Sequence, residues 1–120
     1  MDKLKIVNLT RDRLLADRAE SAVGLGQRLK GLLGRHSLDK GEGLVIKPCS
    51  SVHTFFMRFA IDVVFVDRAS RVVKTIEDMQ PFRASNPFLS ALLTIELPAG
   101  TIHRTNTRVG DQLALQPRSL

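Results

Sequence analysis

Apolar and polar positions alternate with period two along most of the chain. Residues 3–9 place Leu4, Ile6 and Asn8 on one face and Lys5, Val7 and Leu9 on the other, which predicts a short strand. Residues 10–13 read as a turn and 14–19 as a returning strand. The period then changes. Ala22, Leu25, Leu29, Leu32 and Leu33 recur at helical spacing, predicting one helix that starts at a Ser21 cap or a few residues later and has Gly34 at its end. Gly24, Gly26 and Gly31 each cost this helix up to about 1 kcal/mol relative to Ala. Close backbone approach to a sheet is their expected compensation. From Gly41 onward the pattern is that of strands: 43–47, a branched run over 60–66, then 71–76, 93–97 and 112–116. Asp67, Arg68, Ala69 and Ser70 form the turn between two of them, and the proline-bearing stretch 78–90 is a loop. Residues 99–104 read as a turn or short helix. The expectation is an α+β domain: a small, mainly antiparallel, strongly bent β-sheet or partial barrel of five to seven strands with one helix packed on it.

Composition narrows the class. The 120 residues suit a single domain spanning 1–120, with 43% apolar content for one core. No apolar run approaches the roughly 20 residues of a membrane helix, and no signal peptide is read at the start, so a soluble cytoplasmic protein is expected. One cysteine excludes an internal disulfide. The net charge is +6, but it is spread. Residues 1–35 hold eight basic and four acidic side chains, whereas 36–80 hold six of each. With no Trp or Tyr to stack on bases, a basic, soluble surface is the first reading of this charge. Nucleic-acid binding through Arg11, Arg13, Arg18, Arg28, Lys30 and Arg35 is the second.

An ordered series of motifs runs through the chain: RLKGLLGR (28–35), GEGL (41–44), Pro48 with Cys49, VHTFFMRF (52–59), IDVVFVD (61–67), ELPAG (96–100) and VGDQL (109–113). Together they resemble the family called domain of unknown function 192, over roughly residues 12–116. The resemblance implies a compact, mainly β, bacterial-type domain with a packed helix; many such relatives carry export signals, and the family comes with no agreed substrate or reaction. Two positions depart from its pattern. The turn after Asp67 lacks the usual glycine, and Asn106 stands where a glycine is common; Asn tolerates the left-handed conformation better than most residues.

The unusual chemistry is concentrated in Cys49, His53, Thr54, Met57, Arg58 and Asp62. A thiol hydrolase would use Cys49 as nucleophile, His53 as base and Asp62 as orienter. Soft-metal capture would use Cys49, His53 and Met57. Four residues separate each of these three, about 13 Å on a straight strand, so both readings need a turn near Ser50 and Ser51. A structural reading follows from strand parity. Asp62 falls beside Val64 and Val66, where a carboxylate needs donors; a bend near 57–60 or a cross-strand donor is therefore predicted. His53 or Arg58 is the expected side-chain partner, and backbone N–H groups are the alternative.

The leading functional expectation is a non-enzymatic binding or accessory module. Its small polar ligand or peptide would sit around 53–62, held by His53, Thr54, Met57, Arg58 and Asp62, with the loop from Pro81 to Phe88 as a lid. No metal and no cofactor are expected. The alternatives are the cysteine enzyme and the nucleic-acid binder. His36 and His103 read as solvated or capping residues, and Asp111 as part of a turn.

Overall fold

The computed structural model describes residues 3–22, 37–55 and 57–117. Seven strands form one sheet: β1 (Lys3–Asn8), β2 (Arg13–Ala22), β3 (Glu42–Ile46), β4 (Ile61–Val66), β5 (Val72–Met79), β6 (Leu93–Pro98) and β7 (Leu113–Pro117). A short helix, α1 (Thr101–Thr105), lies between β6 and β7. The strand order is β5-β4-β6-β3-β2-β1-β7. All six residues of β4 are buried because β5 and β6 flank it and side chains cover both faces.

Five of the six strand pairs are antiparallel, and β2 runs parallel to β3. The sheet is therefore mixed, which refines the mainly antiparallel expectation. A parallel pair requires a crossover of about a dozen residues or more, and residues 23–41 connect these two strands. Period-two patterning carries no sign of strand direction, so this pair was invisible in it.

The predicted helix lies outside the described residues from 23 onward, together with Gly34 and His36. Ser21 is not its cap. Ser21 and Ala22 are the last residues of β2, paired with Val45 and Ile46. An alanine at helical spacing is equally the last buried residue of a strand, and the apolar β3 supplies its ladder partner.

The sheet curls into a half-barrel. Irregular registers in β1–β2 and β4–β5 increase its twist. At one end its two edges meet: Arg71 bridges Gln112, Val72 N–H donates to the Asp111 carbonyl at 2.9 Å and Leu113 N–H to that of Ser70 at 2.8 Å. The inner core takes a residue from every strand, including Ile6, Leu15, Val64, Ile95 and Leu113, and is capped by Ile102 of α1. A second core lies on the opposite face, where Leu44, Val63 and Phe65 pack with Cys49, Val52 and Met57.

Candidate functional site

Residues 49–54 do not continue as a strand. They pair irregularly with 83–92: Cys49 N–H donates to the Leu92 carbonyl, Phe88 to Ser50, Ser85 to Val52 and Thr54 to Arg83, all between 2.8 and 2.9 Å. The loop expected over 78–90 is thus tied down at its centre. Thr54 is the clasp. Its buried hydroxyl donates to the Gln80 carbonyl at 2.6 Å and accepts from Arg83 N–H at 2.9 Å. A turn at Phe55 and bends at Arg58 and Phe59 precede β4. The bend predicted from the burial of Asp62 is present.

Asp62 is fully buried on the inner face, level with Leu97. Its oxygens accept three backbone N–H groups: Asp78 at 2.8 Å, Gly100 at 3.1 Å and Ile102 at 2.8 Å. His53 is not among these donors; its own partner is Phe55. The carboxylate joins the end of β5 to the start of α1, doing the work of an N-cap from a distance. Three donors satisfy most of its lone pairs, so side-chain partners are unnecessary.

His53 is exposed, stacks on Phe55 with ring centroids 5.1 Å apart, and accepts Phe55 N–H on Nδ1 at 3.3 Å. Cys49 is buried in the outer core and its thiol donates to the Ser51 carbonyl at 3.0 Å. Met57 is buried in the same core, and Arg58 is exposed. No hydrogen bond joins Cys49, His53 and Asp62 to one another. The thiol, the imidazole and the carboxylate each have local partners: Cys49 lies in the outer core, His53 on the surface, and Asp62 on the inner face of β4. Of the basic residues, Arg11 pairs with Asp111 at 3.0 Å, Arg18 with Asp17 at 2.9 Å, and Arg13 donates to the Asp12 carbonyl. Arg28, Lys30 and Arg35 lie outside the described residues.

A cleft of about 610 Å³ opens elsewhere, between β5 and the segment from α1 to Val109. Thr75, Glu77, Ile102, His103, Asn106, Thr107, Arg108 and Val109 line it. Its far wall is shaped by local turns and hydrogen bonds. Gly100 and Asn106 flank α1 in left-handed conformations, φ 95° and 55°, so asparagine fills the position where glycine is common. Beneath the wall lies a buried network: Asn8 Nδ2 donates to Asp111 Oδ2 at 2.9 Å and to Thr107 Oγ1 at 3.1 Å, while Thr105 and Thr107 hydroxyls meet at 2.7 Å. Asp111 also accepts Arg108 N–H at 2.9 Å. Burial alone would raise the Asp111 pKa. The hydrogen bonds from Asn8, Arg11 and Arg108, with the Arg11 charge, outweigh it and hold that carboxyl below its ordinary value. The Arg108 side chain is steadied by Nε donating to Asn106 Oδ1 at 3.0 Å.

One more group escaped the period-two reading. Glu96 of β6 is buried on the outer face, between Leu44 and Val63. Desolvation raises its pKa from 4.5 to about 7, and its side chain makes no hydrogen bond or ion pair among the described residues. Alternation assigns Glu96 to the polar face of its strand, but a strand at the centre of a sheet covered on both sides has no polar face.

The sequence profile of the family DUF192, described as "Uncharacterized ACR", matches residues 6–115. A UPF0127 protein of Thermococcus sibiricus is 29% identical over 112 residues, covering 90% of this chain and 72% of that one. A UPF0127 protein of Pyrococcus furiosus is 39% identical over 64 residues, 53% of this chain and 54% of that one. These relatives are archaeal. Two solved structures share the fold at 20% identity. A protein of unknown function from Novosphingobium aromaticivorans has a TM-score of 0.76, with 92% of this chain and 82% of that chain covered. A Sinorhizobium meliloti protein described as a "putative transcription regulator" has a TM-score of 0.78, with 95% and 92% covered.

Proposed function

The chain belongs to the domain-of-unknown-function 192 family, and from that premise we propose that it is a non-enzymatic binding module for a small polar ligand, held in the cleft between β5 and the α1–Val109 segment. The observation that carries this reading is the cleft itself, about 610 Å³ in volume, within the range of small-molecule sites. Six of its eight lining residues are polar or charged, with Ile102 and Val109 as the apolar contacts, so a polar ligand is the class it fits. The buried Asn8–Thr107–Asp111 network holds the wall in place before any ligand arrives, which reduces the ordering cost of binding. This reading is favoured over the cysteine enzyme because Cys49, His53 and Asp62 each have local partners and make no hydrogen bond to one another.

A second reading keeps the ligand on the 49–58 ribbon, as a peptide lying across His53, Phe55 and Arg58 beside Thr54, Met57 and Asp62. The observation favouring it is exposed aromatic surface: Phe55 and Phe82 are 40% and 61% exposed. A thermal-shift screen of amino acids, carboxylates, nucleotides and short peptides separates the two. A ligand at a hundred times its Kd stabilises by about 2.7 kcal/mol. The cleft reading expects that shift to vanish in His103→Trp, which fills the cleft, and to survive in His53→Ala. The reverse pattern would transfer the site to the ribbon.

A further inference from the structure

We infer, resting on the cleft reading above, that its ligand is a small zwitterion of α-amino-acid type with an apolar side chain. The cleft carries one group of each charge. Glu77, on β5, makes no side-chain hydrogen bond or ion pair among the described residues. Arg108 faces the same cleft from the loop after α1, and its guanidinium beyond Nε is likewise without a partner among those residues. Glu77 and Arg108 do not pair with each other. Opposite charges that line one cavity yet stay beyond ion-pair distance leave room for a dipolar molecule between them.

The neighbouring groups fit the two ends of such a molecule. Arg108 is oriented by Asn106, whose amide NH₂ remains as a further donor beside it. A guanidinium fork with an adjacent amide donor matches the two oxygens of a carboxylate. Glu77 and the hydroxyl of Thr75, on the facing strand, match an ammonium group. Ile102 and Val109 supply the apolar contact for a side chain. A simple anion would leave Glu77 opposed to it, and a simple cation would meet Arg108 in the same way. Only a ligand bearing both charges satisfies both walls.

Calorimetric titration of the whole chain with L-valine, isovalerate and isobutylamine tests this, because the last two are valine without its amine and without its carboxylate. The expected result is that L-valine binds at least about tenfold more tightly than either, one charged hydrogen bond being worth roughly that factor or more. Glu77→Gln should bring valine and isovalerate together, and Arg108→Gln should bring valine and isobutylamine together. Both substitutions are at exposed side chains, and the bond from position 108 to Asp111 comes from the backbone, so the fold is retained; unchanged circular dichroism checks this. Equal binding of valine and isovalerate to the unaltered chain, lost in His103→Trp, would overturn the zwitterion and leave the cleft site standing. Tight valine binding that survives His103→Trp would overturn both.

Discussion

Two buried carboxylates in adjacent strands have opposite fates, and their surroundings explain why. Asp62 meets three backbone N–H groups, whereas Glu96 meets Leu44 and Val63. Replacing Asp62 by Ala leaves those three donors unsatisfied inside the protein. The expected loss is about 3 kcal/mol or more by urea denaturation, with amide exchange rising first at Asp78, Gly100 and Ile102. Glu96 has the reverse effect through pH. Its folded pKa, about 7, lies above its ordinary 4.5, so the folded state holds a proton that the unfolded state gives up. Its contribution is fully present below about pH 4.5 and is lost as pH rises through 7. Glu96→Gln should therefore flatten the stability profile between pH 5 and 8 and be the more stable form at pH 8, by on the order of 3 kcal/mol. Asp111 acts at the acid end. Its carboxyl is held low, so its stabilisation is present above the usual carboxylate range and disappears as pH falls below it. Urea midpoints for Asp111→Asn should accordingly be less acid-sensitive than those of the parent.

At the scale of elements, Thr54 decides how the ribbon sits on the sheet. One hydroxyl links it to Gln80 and Arg83. Thr54→Val keeps the shape and removes these bonds, at an expected cost of about 1–2 kcal/mol, with faster exchange at the Phe82, Arg83 and Ser85 amides. Strand patterning made most of this architecture legible beforehand. The runs 3–9, 60–66 and 93–97 became β1, β4 and β6 within a residue or two, because each alternates or is apolar throughout. The bend before β4 was equally legible, since a carboxylate in an apolar run calls for nearby donors or a raised pKa. What escaped notice depends on partners distant in sequence. The parallel β2–β3 pair is set by a crossover, the extension of β5 to Met79 by its pairing with Ile61, and the burial of Glu96 by the strands on either side. The functional candidates suffered from the same limit: Cys49, His53 and Asp62 are close in sequence, but the first is buried in the outer core, the second is exposed and the third lies on the inner face of β4. Glu77 and Arg108 are far apart in sequence, and only the closed end of the half-barrel brings them to one cleft.

For the molecule as a whole, the net charge is +6, and two of its arginines, Arg11 and Arg18, have acidic partners. No helix of the described residues is long and apolar enough to cross a membrane. The half-barrel has two cores, and the cleft opens where the inner one ends at Ile102. The buried Asn8–Thr107–Asp111 network lies beneath the same wall, so a ligand in the proposed cleft should be felt there. Nuclear magnetic resonance mapping of a titration with L-valine is the most direct test. The account predicts saturable amide shifts concentrated at residues 75–77 and 101–109, with smaller effects at Asn8 and Asp111. Shifts concentrated instead at residues 49–58 and 82–89, with the cleft amides unmoved, would contradict it.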